Sequence, residues 1–114
     1  IIVLGHSNFG GVKGCHDMCT GLAPELEKSS SFVGRWMDIL RPGFERVKHI
    51  SDEAERVAQL EREAVIVSGQ NLMTFPFVKS AVEKNELTLH GLWTDNAEGT
   101  LEQYDGNSHD FIRI

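Results

Sequence analysis

The stretch IIVLGHSNFGG, residues 1–11, decides the fold. A continuous apolar run over residues 1–5 that ends in Gly is typical of a strand buried on both faces of a parallel sheet. His6 comes at the end of this strand, which is where open α/β sheets place their sites. Gly10 and Gly11 allow the backbone to turn tightly and to approach a ligand. The stretch therefore predicts an α/β fold with a functional site at this loop.

Two other interpretations of the loop stay open at this point. A histidine at a strand end can simply form a hydrogen bond with nearby backbone. The loop can also hold a phosphate in front of a helix, but its glycine spacing matches neither a P-loop nor a dinucleotide-binding fingerprint. His6 is thus a candidate functional residue that needs further support.

Helical patterns follow the loop. A short helix or an irregular turn is predicted over residues 11–20, and a polar surface loop over residues 21–31. Residues 32–40 place apolar side chains at helical spacing. Asp52 and Glu55 fit a capping box that starts a long helix.

Strand patterns dominate the last third of the chain. Pro76 suits the first turn of a helix that ends near Asn85. Residues 87–94 and 100–104 predict a hairpin, and residues 111–114 predict a last short strand. The order of strand, helices and strands predicts an α/β domain with a mixed sheet.

Length and composition restrict the class of protein. The 114 residues fit one small domain, residues 1–114, and the net charge of -6 argues against binding to nucleic acid. No apolar run has the roughly 20 residues that a membrane span needs. Two cysteines make no disulfide framework and favour a reducing, cytoplasmic setting. Because the chain starts inside a core strand and without Met, we expect it to be a fragment truncated at the N-terminus.

Three blocks of sequence resemble a known family. They are GHSNFGGVKG at 5–14, NLMTFPFV at 71–78 and LTLHGLWTDNAEGTLEQYD at 87–105. In this order and at these distances they resemble the β-class carbonic anhydrases, and the resemblance covers essentially the whole chain. It implies a mostly parallel sheet with flanking helices and a C-terminal hairpin, in homodimers or higher homo-oligomers.

The resemblance also implies a reaction and a cofactor. In this family carbon dioxide is hydrated reversibly to bicarbonate by hydroxide bound to zinc, and two Cys and one His hold the metal. Zinc lowers the pKa of bound water to about 7 and so provides a nucleophile at neutral pH. Three protein ligands leave one tetrahedral position for that water.

Residue by residue, the match is incomplete. His6 corresponds to the zinc-binding His of the H-x-x-C motif, but the Cys position holds Phe9. The second Cys belongs to an earlier C-x-D-x-R segment, which also brings an Asp–Arg pair and would precede Ile1. No catalytic residue is therefore predicted within the chain. The matching active-site loop comprises Ser7, Gly10 and Gly11.

The other notable residues receive structural interpretations. Cys15 and Cys19 are metal-capable and lie close to His6 and His16 in sequence, but their spacing fits no common zinc pattern and favours packed thiols. The acidic residues of the long helix favour a solvated charged face: Glu53, Glu55, Glu61 and Glu63. The large aromatic residues are predicted in the core or at an interface: Trp36, Phe75, Phe77 and Trp93.

Two functional hypotheses result. The first is a zinc-dependent β-carbonic anhydrase, represented by its C-terminal part and without a membrane or nucleic-acid partner. The second is a non-catalytic carbonic-anhydrase-like module that acts by association with a partner chain. Position 9 is the feature that discriminates between them.

Overall fold

The computed structural model of the chain describes residues 1–28 and 31–114. These residues form two compact units. The sheet unit comprises Ile1–Ser7 and Val65–Ile114, and the helical unit comprises Asn8–Ala64. None of the described helices is both long enough and apolar enough to cross a membrane.

The helices and strands follow the predicted order. The helices are α1 (Gly10–Cys19), α2 (Phe32–Met37), α3 (Arg41–Val47), α4 (Glu53–Leu72) and α5 (Pro76–Glu83). The strands are β1 (Ile2–His6), β2 (His90–Asp95), β3 (Thr100–Asp105) and β4 (Asp110–Arg113). Short 3₁₀ turns lie at Pro24–Glu27 and Asp38–Leu40.

The sheet has the order β1-β2-β3-β4. β1 pairs in parallel with β2, with Leu4 opposite Leu92, whereas β2–β3 and β3–β4 are antiparallel. The predicted α/β fold with a mixed sheet and a C-terminal hairpin is confirmed. The parallel arrangement expected from the resemblance is represented in the described residues by the β1–β2 pair.

One face of the sheet packs against the C-terminal part of α4. A β-carbon placed on Gly91 would lie 2.9 Å from Cγ1 of Val65, so the glycine lets the helix approach β2 closely. Trp93 lies two positions further along β2, on the same face, and only 5% of it is exposed. The prediction that Trp93 belongs to the core is confirmed.

The other face of β1 is largely exposed, in contrast to the sequence prediction. The strand was expected to be buried on both faces, but Ile2 is 63% and Leu4 56% exposed. Val3, which alternates with them, is half-buried. β1 is an edge strand of this sheet, and Ile2 and Leu4 lie on the face opposite to that of Val3.

The helical unit has its own small apolar core. Its buried members come from α1, α3 and α4: Val12, Phe44, Val47 and Leu60. The predicted cap of α4 is confirmed, because the backbone N–H of Glu55 donates to Oδ2 of Asp52 at 2.9 Å. This cap satisfies one of the N–H groups that a helix start leaves without an internal partner.

Three of the aromatic residues predicted in the core or at an interface are exposed in the described chain. In α2 the buried position is Gly34, so Trp36, two residues away, points outward and is 69% exposed. Phe75 and Phe77 lie at the start of α5, with ring centroids 5.7 Å apart, and are 50% and 73% exposed. None of the three is in the core of the described residues, and α5 buries Val78 there. Their alternative placement at an interface stays a prediction.

The predicted loop over residues 21–31 contains the 3₁₀ turn at Pro24–Glu27. Ser29 and Ser30, which complete the polar part of that prediction, lie outside the described residues.

Candidate functional site

His6 lies at the end of β1 and is half-buried. Its Nδ1 atom is 2.8 Å from the carbonyl oxygen of Ser7. Because a carbonyl can only accept, Nδ1 carries the proton of this hydrogen bond. A neutral imidazole in this tautomer has its lone pair on Nε2, which is the form that can bind a metal ion through Nε2.

Ser7 is held by β2 and by the turn that follows it. The Ser7 backbone N–H donates to the carbonyl of Thr94 at 2.9 Å. The Ser7 Oγ accepts from the backbone N–H of Asn96 at 3.0 Å. The side-chain amide of Asn96 also lies 3.4 Å from Nδ1 of His6. One turn residue therefore contacts both His6 and Ser7.

Hydrogen bonds within the turn hold Asn96 in place. Oδ1 of Asp95 accepts from the backbone N–H groups of Ala97 and Glu98 at 2.8 and 3.2 Å. The N–H of Gly99 donates to the carbonyl of Asp95 at 2.8 Å, and the φ of Gly99 is 70°, a value that favours glycine. The aspartate and the glycine thus fix the turn that presents Asn96 to the end of β1.

Gly10 and Gly11, the other predicted loop residues, belong to the helical unit, where they open α1. A β-carbon on Gly11 would lie 2.7 Å from Cε1 of Phe9, so the Phe9 ring lies over the first turn of the helix that it caps. A β-carbon on Gly10 would meet nothing within 4 Å. Gly11 therefore accommodates the aromatic ring at position 9.

The backbone of Asn8 contacts a buried acid within the helical unit. Its φ is 57°, in the left-handed region that asparagine tolerates. Its backbone N–H donates to Oε2 of Glu61 at 2.9 Å, and only 6% of Glu61 is exposed. The prediction that Glu61 belongs to a solvated charged face was wrong, since a backbone donor compensates for the burial of its carboxylate.

Cys15 and Cys19 are free thiols. Cys15 is fully buried, and burial, followed by the neighbouring Cys19, raises the pKa of its thiol to about 12. Burial also raises the pKa of Cys19. Both thiols are therefore protonated at neutral pH, which supports their interpretation as packed residues and not as thiolate ligands.

His16 is the centre of a buried polar network. The residue is fully buried, and the Arg56 Nε–H donates to its Nε2 at 2.9 Å. Nδ1 is therefore the protonated nitrogen, and it donates to Oδ1 of Asp17 at 3.2 Å. Both ring nitrogens of His16 are thus occupied by protein partners.

This network contains a group of metal-capable atoms. One atom each from His16, Asp17 and Glu53 lies within 4.8 Å of the others. Nζ of Lys13 already donates to Asp17 at 3.0 Å and to Glu53 at 2.8 Å. Burial acts to raise the pKa of Asp17, but the hydrogen bonds from Lys13 and His16 outweigh it and lower that pKa. The lysine ammonium thus supplies the positive charge that this group needs.

The fit of the described residues to zinc is partial. His6 has the tautomer that a zinc ligand needs, with the other ring nitrogen fixed by a backbone carbonyl. Position 9 is an apolar ring, and the one metal-capable group found among the described residues does not include His6. The described part of the chain therefore provides one ligand of the three that the resemblance implies.

The sequence did not reveal the contacts of three residues, which are Asn96, His16 and Arg56. Asn96 carried no signal of its own, because asparagine in a turn is already explained by turn chemistry. The pairing of His16 with Arg56 joins residues that lie 40 positions apart. No local pattern reveals such a contact.

Comparisons with known proteins agree with the fold. A family model described as carbonic anhydrase matches residues 1–101. Beta carbonic anhydrase 3 of Arabidopsis thaliana is 33% identical over 108 residues, which cover 92% of this chain. The solved structure of the beta-carbonic anhydrase CcaA has a TM-score of 0.81 at 29% identity and covers the whole of this chain.

A second solved structure shares the fold. It belongs to one of two tetrameric beta-carbonic anhydrases from the filamentous ascomycete Sordaria macrospora, with a TM-score of 0.70, 24% identity and 90% of this chain covered. The chain spans about half the length of the proteins that it matches, with 41% of the Arabidopsis protein and 54% and 50% of the two structures.

Proposed function

Because this chain belongs to the carbonic anhydrase family, as a relative of its β-class members, we propose that its protein acts in the reversible hydration of carbon dioxide to bicarbonate. The observation that carries this proposal is the position of His6. It lies at the end of a sheet strand, within the family's loop motif, and its Nε2 bears the lone pair.

Zinc is the cofactor in this proposal, and His6 is the residue of this chain that would hold it. Bound zinc lowers the pKa of water to about 7, which provides a nucleophile at neutral pH. The protein's own contribution is to orient His6, through the carbonyl of Ser7 and the turn at Asn96. Because Gly10 and Gly11 have no side chains, the start of α1 leaves room for the Phe9 ring.

We expect the 114 residues alone to bind zinc poorly and to hydrate carbon dioxide only at the background rate. One imidazole is present where the family uses three protein ligands, and each missing thiolate removes both a bond and a negative charge. Phe9 places an apolar ring at one of these positions.

A stopped-flow hydration assay on three proteins tests this proposal, with the zinc content measured on the same samples. They are the chain itself, its Phe9→Cys variant, and a Phe9→Cys protein extended by a C-x-D-x-R segment from a relative. We expect zinc and hydration together in the third protein only. Hydration by the unmodified chain that His6→Ala abolishes would show that other residues complete the metal site.

The second candidate function is a non-catalytic module that associates with a partner chain. The packing of the Phe9 ring on Gly11 favours it, because this loop accommodates the ring without a steric conflict. Zinc binding without hydration in the extended Phe9→Cys protein would support this alternative and contradict the catalytic proposal.

Assembly and location complete the proposal. The Sordaria proteins are tetrameric, and we propose a homodimer or higher homo-oligomer here as well, with carbon dioxide and bicarbonate as the small-molecule partners and neither nucleic acid nor membrane. The free thiols of Cys15 and Cys19 support a reducing, cytoplasmic setting.

A further inference from the structure

We propose that a cavity beside the C-terminal half of α4 is a binding site for a small, neutral ring compound with one hydrogen-bonding group. The cavity, which we call the α4 cavity, has a volume of about 360 Å³, within the range of about 300–1,000 Å³ that ligand pockets occupy. Val3 and Gly91, which are paired at the start of β1 and β2, form part of its wall. His6 pairs with Thr94 at the other end of these strands, so the cavity is separate from the loop of His6.

The wall formed by α4 has a gap in its row of side chains. Val65, Gly69 and Met73 line the cavity at intervals of four residues, which places them in one row along the helix and the turn that continues it. Ile66 and Gln70 form the adjacent row. The middle member of the first row has no side chain, and a β-carbon on Gly69 would meet nothing within 4 Å. The space that a larger residue would fill is therefore left to the cavity.

A glycine in the interior of a long helix needs a physical reason, because it lowers the stability of the helix relative to alanine. On the opposite wall the reason is packing, since a β-carbon on Gly91 would lie 2.9 Å from Cγ1 of Val65. Among the described residues no such contact is made at Gly69. The effect of Gly69 is to keep the cavity open, and a ligand that occupies this space explains why an open cavity is useful.

The lining indicates an apolar, flat ligand. Its apolar side chains come from both walls: Val3, Val65, Ile66, Met73 and Leu89. Tyr104 also lines the cavity, and its position is fixed by the ring of Phe111, with centroids 5.3 Å apart, and by a contact of 3.2 Å between its hydroxyl and Nδ1 of His109. Aromatic rings and thioethers both make favourable contacts with a bound ring, so Tyr104 and Met73 favour an aromatic compound.

The charges of the site indicate a neutral ligand. The described lining residues include no acid, lysine or arginine, so an ion would lose its hydration without gaining a counter-charge. The net charge of -6 further opposes an anion. Gln70 lines the cavity and is exposed, and its amide can both donate and accept a hydrogen bond. A single polar group on the ligand would meet this amide.

The test ligand is indole, a neutral ring system with one N–H donor, titrated into the unmodified chain and followed by methyl NMR. We expect saturable binding of one molecule per chain with a Kd of about 0.1–1 mM, which is reasonable for a ligand of this size. The methyl signals of Val3, Val65 and Leu89 should shift, whereas those of Val12 and Val47 in the helical unit should not. Indole-3-acetate, which adds a carboxylate to the same ring, should bind more weakly by about tenfold or more.

Gly69→Leu tests the cavity itself, because the new side chain fills it. We expect the Kd for indole to rise by about tenfold or more while the circular dichroism spectrum stays that of the folded chain. Asn71→Leu is the matched control, since it adds the same side chain to the same helix at an exposed position outside the cavity lining. It should change the Kd by less than about twofold.

Four results would overturn the proposal: no saturable binding, an equal loss in the two variants, methyl shifts in the helical unit, or equal binding of indole-3-acetate. A Kd that rises with the concentration of the chain would also overturn it, because a second copy would then occupy the cavity. If Gly69→Leu did not fold, the methyl shifts and the comparison of the two ligands would decide. Neither zinc nor hydration enters these measurements, so they stand or fall separately from the proposed function.

Discussion

His16 shows how the helical unit buries a polar ring. Both of its nitrogens have charged partners, Arg56 and Asp17, and its ring lies edge-on to Phe44 with centroids 6.1 Å apart. A buried polar group costs little free energy when every one of its hydrogen bonds is made, and much more when a partner is lost. The ring is therefore a sensitive point of the fold.

The first prediction concerns this ring. His16→Phe keeps the ring but removes both nitrogens, which leaves the Nε–H of Arg56 and a carboxylate of Asp17 without this partner. We expect the free energy of unfolding to fall by about 1–3 kcal/mol, measured by urea denaturation at pH 7.5. His49→Phe, at an exposed position of the same unit, should change it by less than about 0.5 kcal/mol. Equal losses in the two variants would contradict the role of the network.

The second prediction concerns alkaline pH. Burial raises the pKa of Cys15 to about 12, whereas an unfolded thiol has a pKa of about 8.5. Above pH 8.5 the unfolded chain loses this proton and the folded chain keeps it. The stability from this group is thus complete below pH 8.5 and is lost as the pH rises toward 12.

Between pH 8.5 and pH 10 this loss amounts to about 2 kcal/mol. Chemical denaturation at pH 7, 8.5 and 10 measures it, and Cys15→Ala should show a shallower decline than the unmodified chain. Parallel declines in the two proteins would show that the Cys15 thiol ionises equally in both states.

At the scale of single elements, alanine substitution at two helical glycines should change the free energy of unfolding in opposite directions. A β-carbon on Gly34 of α2 would overlap the carbonyl oxygen of Leu26, whereas one on Gly69 of α4 would meet nothing within 4 Å. Gly34→Ala should therefore destabilise the protein by about 1–3 kcal/mol. Gly69→Ala should stabilise it by about 0.5–1 kcal/mol, because alanine loses less conformational entropy in a helix.

Thermal and urea unfolding of both variants measure these changes, and each variant is the control for the other. The prediction fails if the two substitutions shift the free energy of unfolding in the same direction.

The elements also show what a sequence can reveal. The cap at Asp52, the first turn at Pro76 and the β2–β3 hairpin depend on residues a few positions apart, and all three were predicted. The outward direction of Trp36 depends on the contact between Gly34 and Leu26, which no periodicity reports. Local chemistry is visible in a sequence, whereas the choice of the buried face of a short helix is made by distant neighbours.

The candidate site divides in the same way. His6 was predicted because a strand end followed by glycines is a local pattern. Asn96 was not, since its contact depends on the parallel pairing of β1 with β2 across most of the chain. Glu61 fits the pattern of surface acids on the long helix. Its contact with the backbone N–H of Asn8 joins residues 53 positions apart, which no local pattern predicts.

For the whole molecule, the exposed apolar residues of β1 predict association. An edge strand with free backbone groups and apolar side chains tends to pair with another chain. We expect the chain to form dimers or larger species at micromolar concentration in sedimentation velocity. Leu4→Lys should shift it toward the monomer, because a charge on an edge strand opposes pairing.

Phe77→Lys is the control, since Phe77 is also an exposed apolar residue but lies on α5. An equal shift in both variants would mean that general apolar exposure causes the association and that β1 has no special part in it. A monomeric chain with a cooperative melt would contradict the prediction altogether.

The parallel pairing of β1 with β2 has a consequence for the synthesis of the protein. Asn96 follows Ser7 by 89 positions, so the ribosome makes the strand that carries His6 long before it makes the neighbour that completes it. At roughly 5–20 residues per second, the interval is about 4–18 s. During this interval β1 is apolar and lacks its hydrogen-bonding partner β2, while the ribosome synthesises the helices of residues 10–83. Nascent chains of this protein are therefore expected to occupy holding chaperones until translation of β2 is complete.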